Sequence, residues 1–77
     1  MQYILDLLNK IKWDKNEKPE DYSIVYFDRV SSRNMEIRFN DIKSIEGSFM
    51  VVGEEESQIP LHRIKQVKKK GIIIWQR

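Results

Sequence analysis

Cysteine is absent from these 77 residues, and histidine occurs once, at His62. Without a thiol, disulfides, thiolate zinc sites, iron–sulfur clusters and cysteine nucleophiles are all excluded, so stability must come from packing. A lone histidine also removes two-histidine phosphoesterase chemistry and histidine-rich metal sites within one chain. No metal and no cofactor are therefore expected. Long apolar runs are missing too. The longest, residues 49–52 and 72–75, fall far short of the ~20 residues that span a bilayer, so no membrane helix is expected. The opening MQYILDLLNKIKW interrupts its apolar run with Asp6 and has neither a basic leader nor a small-residue cleavage site. It does not read as a signal peptide, and a cytoplasmic location is expected.

What is present is charge, unevenly spread. Residues 57–77 hold Arg63, Lys65, Lys68, Lys69, Lys70 and Arg77 and no acid, a net of +6, whereas the first fifty-six hold eight basic and twelve acidic side chains, a net of −4. Such asymmetry suits an anionic partner for the last third of the chain. Lysines on exposed strands also block edge-to-edge pairing, so a purely solubilising role stays open.

The length fits one α+β domain over residues 1–77, with an N-terminal amphipathic helix packed on an antiparallel sheet or small, partly open barrel of about five strands. Ile4, Leu5, Leu8 and Ile11 recur at helical spacing, which predicts a helix over residues 2–12 ending near Trp13, before the polar DKNEKPED. YSIVYF (22–27) is rich in β-branched and aromatic residues and reads as a central strand. After the short, glycine-free RVSSRN loop, Met35, Ile37 and Phe39 alternate with Glu36 and Arg38, predicting its antiparallel partner. Asn40 and Asp41 can begin a short helical turn, Gly47 can supply the unusual dihedral of a hairpin, and residues 49–52 form the next strand. A similar pattern recurs from Pro60. Residues 60–62 read as a turn, 64–68 and 72–75 as the last two strands, and Lys69, Lys70 and Gly71 as the hairpin tip. The IIIW run (72–75) is expected to be mostly core.

Trp13-Asp14 after the helix, Tyr26-Phe27-Asp28-Arg29 at a strand end, Ile59-Pro60-Leu61-His62-Arg63-Ile64, and Gly71 followed by Ile74-Trp75-Gln76-Arg77 occur in one order along the chain. On these motifs the sequence resembles, over essentially its full length, a small archaeal family of uncharacterised proteins also called the RNA cyclic group end recognition domain. The resemblance implies a small α+β fold and a role in binding RNA ends that carry a 2′,3′-cyclic phosphate. That activity is inferred from the RNA-end-processing enzymes in which the domain is found.

Residue chemistry fits this implication. A cyclic phosphate is a compact monoanion, which the bidentate Arg63 fork and a His62 donor could grip through its non-bridging oxygens. The motifs add Arg29 and Arg77 as further charge, and Tyr26 and Trp75 as stacking platforms for a terminal ribose or base. Lys68, Lys69 and Lys70 offer sequence-independent attraction to the RNA backbone. Bland readings stand beside these: His62 as a turn-fixing residue, Tyr26 and Trp75 as core, Arg29 paired with Asp28 or Glu20, Arg77 frayed. A general base would need a second group to protonate the leaving oxygen, and none stands at motif spacing, so binding is favoured over hydrolysis. The partners expected are RNA 3′ ends, with docking on RNA-processing proteins as the alternative.

Overall fold

The computed structural model describes residues 3–77. One helix, α1 (Ile4–Trp13), is followed by seven strands: β1 (Tyr22–Asp28), β2 (Arg33–Arg38), β3 (Ile42–Ile45), β4 (Phe49–Val52), β5 (Ser57–Pro60), β6 (Ile64–Lys69) and β7 (Ile72–Gln76). They form two antiparallel sheets, one in the order β2-β1-β6-β7 and one in the order β3-β4-β5. The α+β class agrees with the sequence. The count does not: among the described residues there are seven strands rather than about five, and no ladder joins the two sheets.

The chain breaks its ladders with a recurring joint. Three-residue 3-10 turns at Pro19–Asp21, Phe39–Asp41 and Leu61–Arg63 each end in an N–H bonded back to the carbonyl of the turn's first residue, from Tyr22, Ile42 and Ile64 respectively. Each turn leads into a strand, a hairpin and a second strand. The similarity of the last two units was legible in the sequence; the first, at Pro19, shares the geometry without that recurring pattern.

The core joins all these layers. Leu7, Leu8 and Ile11 of α1 pack with Tyr22 and Ile24 of β1, Phe39, Met50 and Val52, Ile59, Leu61, Ile64 and Val67. Leu7 was not on the expected stripe, while Ile4 and Leu5 are only half-buried. The buried face of the helix is therefore turned toward Leu7 and away from Leu5. The expected helix start at residue 2 lies outside the described residues.

Three local expectations are corrected. Pro60, expected to open the turn over residues 60–62, instead ends strand β5, and the turn runs over Leu61–Arg63; β5 lies at the edge of its sheet, where the missing N–H of Pro60 breaks no ladder. Gly47 sits between β3 and β4 but not at positive φ, whereas Lys70 and Gly71, the two residues between β6 and β7, have φ 52° and 82°. That pair has the sign pattern of a type I′ hairpin, the turn that matches strand twist. Finally, β7 is not mostly core. Ile72, Ile73 and Ile74 are 69%, 45% and 45% exposed, and only Trp75 packs half-buried on the core. Position explains this, because β7 is an outer strand with nothing hydrogen-bonded beyond it.

Candidate functional site

The IPLHRI segment is held rigidly. The Leu61 N–H donates to the Ser48 carbonyl (3.0 Å), tying the 3-10 turn to the β3–β4 hairpin. Arg77 fastens the other side. Its Nε donates to the Ile64 carbonyl (3.0 Å), its Nη2 to the Leu61 carbonyl (3.2 Å) and its backbone N–H to the Lys65 carbonyl (3.0 Å), while the guanidinium lies 5.5 Å from the Trp75 ring centroid. Lys65 needs such a donor. On β1, Val25 pairs with Gln66 but Tyr26 with Ile64, so Lys65 is the extra residue of a bulge. Bulges re-aim neighbouring side chains, and this one sits directly after the turn. Arg77 is therefore a staple for the turn rather than a frayed end.

Adjacent residues of the turn serve different depressions. His62, exposed, lines one of about 440 Å³ together with Arg77, Leu61, Gly47 and the start of α1 from Tyr3 to Asp6. The helix begins at Tyr3 without a side-chain cap, and Asp6 supplies the one carboxylate of this lining. Arg63, half-buried, lines a second depression of about 300 Å³ with Tyr26, Asp28 and Val30 from the β1 end and Ser57 and Gln58 from β5. Burial pushes the Tyr26 phenol pKa up, and the Asp28 charge adds to the effect. His62 and Arg77 are thus brought together, as are Arg63 and Tyr26, but the two pairs face different hollows.

Arg29 lines neither of these hollows. It lies in the four-residue β1–β2 connection, where Asp28 accepts the Val30 N–H (3.1 Å) and the Ser31 hydroxyl (3.0 Å) and Ser32 takes φ 57°. Neither Asp28 nor Glu20 pairs with Arg29, and among the described residues the guanidinium has no ion-pair partner. The lysine run is less free than its count suggests. Lys68 pairs with Glu36 (3.3 Å), which also accepts the Ser23 hydroxyl, and Lys69 lies 3.7 Å from Glu17 and 5.6 Å from the Tyr22 ring centroid. Lys70 alone of the three is exposed at the tip without such a partner.

Sequence reasoning missed Tyr3 beside His62, and Asp28, Ser57 and Gln58 beside Arg63 as lining residues. No period in the sequence marked β5, which Pro60 disguises, and nothing placed it beside the end of β1.

The fold is thus a two-sheet α+β arrangement that displays a stapled turn between two hollows. The chain belongs to the MJ1316 RNA cyclic group end recognition domain family, whose model matches residues 1–77. It is similar to a UPF0248 protein of Saccharolobus islandicus strain L.S.2.15, at 35% identity over 96% of this chain and 98% of the relative. UPF0248 proteins of Saccharolobus solfataricus (34% identity, 96% of this chain, 95% of the relative) and Metallosphaera sedula (32%, 96% and 91%) are also similar. No solved structure matches the chain.

Proposed function

We propose that this protein is a non-catalytic RNA-binding module that recognises RNA 3′ ends carrying a phosphate, above all a 2′,3′-cyclic phosphate. The observation that carries this reading is the convergence of His62 and Arg77 on one hollow at a turn that cannot easily rearrange. A cyclic phosphate monoanion offers two non-bridging oxygens. The imidazole donates to one; Arg77, which spends Nε and one Nη2 hydrogen on carbonyls, retains Nη1 donors and its full charge for the other. Exposed Tyr3 supplies a ring for the face of the terminal ribose. The His62 hollow suits an anion better than the Arg63 hollow does: two cation-capable side chains face one acid, Asp6, in the first, whereas one arginine faces one acid, Asp28, in the second. Arg29 and Lys70 add longer-range attraction.

The test uses labelled oligonucleotides identical except for a 2′,3′-cyclic phosphate or a 3′-hydroxyl. The cyclic end is expected to bind more tightly, and His62→Ala to lose that preference, on the order of 1–3 kcal/mol, with folding retained. Equal affinity for both ends would remove end recognition and leave only general RNA binding.

A second reading, docking within an RNA-processing assembly, is favoured by one observation, the exposed isoleucines of the outer strand β7. An apolar dock of that kind persists as salt rises, whereas RNA binding weakens steeply.

A further inference from the structure

The second hollow is unexplained by phosphate recognition. Arg63 and Asp28 both line it, yet no ion pair joins them within 4.0 Å, and among the described residues Arg63 has no hydrogen-bond partner. A guanidinium and a carboxylate that share a half-enclosed space without neutralising each other leave a donor fork and an acceptor pair open to whatever enters. The carboxylate is also pre-set: the Val30 N–H and the Ser31 hydroxyl each occupy one of its oxygens (3.1 and 3.0 Å), leaving a lone pair on both. Opposite, Ser57 and Gln58 contribute a hydroxyl and an amide, and Tyr26 a partly buried phenol. At about 300 Å³ the hollow is at the small end of ligand pockets, enough for one planar ring system with its sugar.

We infer that this hollow is a nucleobase subsite selective for guanine. Guanine alone among the four bases presents two neighbouring acceptors, O6 and N7, matched to an arginine fork, together with two neighbouring donors, N1–H and the N2 amino group, matched to a carboxylate. Adenine would set its amino group toward the guanidinium; uracil and cytosine lack the second edge. The inference rests on the RNA-end reading for its polymer and deepens it. His62 and Arg63 are consecutive in a trans chain, with Cα atoms ~3.8 Å apart, so one terminal nucleotide can set its phosphate on one side of the turn and its base on the other.

The experiment compares four single-stranded RNAs that differ only in the terminal base, each prepared with a cyclic phosphate and with a 3′-hydroxyl. Guanine-ended strands are expected to bind about tenfold more tightly than the other three in both series. Arg63→Lys and Asp28→Asn should abolish that ratio while keeping the cyclic-over-hydroxyl ratio; His62→Ala should do the reverse. Ser31→Ala, which removes one loop bond and leaves the carboxylate, controls for a merely structural role and should keep the guanine preference. Equal affinities for the four bases, or a guanine preference that survives both Arg63→Lys and Asp28→Asn, overturns the subsite even if end recognition stands. Free guanosine provides an arm independent of the phosphate: its titration should shift the backbone amide resonances of Asp28, Val30, Gln58 and Arg63, and shifts confined to the His62 side would also overturn the assignment.

Discussion

Individual side chains carry the energetics that can be measured first. Arg77 gives three N–H groups to the carbonyls of Leu61, Ile64 and Lys65. Two of these bonds belong to the guanidinium, so Arg77→Ala should destabilise the protein by on the order of 2 kcal/mol in denaturant melts, and Arg77→Lys should recover little, because an ammonium cannot reproduce the fork. Tyr22 is buried with its hydroxyl donated to Glu17; burial foremost, then that bond and the nearby carboxylates, push its pKa up to about 12. A raised folded pKa favours the neutral phenol. Its contribution is complete below the ordinary tyrosine value of ~10 and is lost as pH rises from there toward 12. Alkaline denaturation followed in wild type and Tyr22→Phe should show that this part of the stability loss is missing in the variant. Glu36 moves the other way: the Ser23 hydroxyl and then Lys68 hold its carboxyl below the ordinary glutamate value. Carboxyl NMR should find its midpoint low, with the associated stabilisation present above the ordinary glutamate range and fading as pH falls through the depressed pKa. An unshifted midpoint would mean that the bridge does not persist in solution.

Hairpins and joints set what the elements can tolerate. Gly71 holds φ 82° in open space, so Gly71→Ala incurs backbone strain with no steric clash and should lose about 1 kcal/mol. Gly47 is equally open but lies outside the left-handed region; Gly47→Ala should be neutral or slightly stabilising by equilibrium unfolding. The contrast bears on what could be read in advance. Hydrophobic pattern located α1, β1, β2, β4, β6 and β7, because each is a local signal, though it put Lys69 in the last hairpin's tip rather than in β6 and misjudged how exposed β7 is. It did not locate the split into two sheets, since strand pairing is decided between elements, nor β5, whose Pro60 disguises it. Likewise His62 and Arg63 were legible as a pair through the motif. Their separation was not: a 3-10 turn followed by a bulge at Lys65 aims neighbours apart, and a bulge leaves no mark in composition.

Over the whole molecule, charge and assembly matter most. Counting residues gives the last third six cations, yet Lys68 and Lys69 are engaged with Glu36 and Glu17. With Arg63 turned to the base, Arg29, Lys65, Lys70 and Arg77 are left for phosphates, and the slope of log affinity against log salt for single-stranded RNA should be about −3, rather than the roughly −4 expected if Lys68 and Lys69 joined them. A slope near −4 would mean that RNA breaks both surface pairs. The same molecule also closes its recognition turn with a distant part of its own chain: Arg77 reaches back thirteen residues to Ile64 and sixteen to Leu61. During synthesis, then, α1 and the first hairpins can form while the turn is still unlatched. The carbonyls of Leu61, Ile64 and Lys65 await a donor made after all seven strands, so a nascent chain halted short of residue 77 can hold most of the fold and still lack the finished His62 hollow.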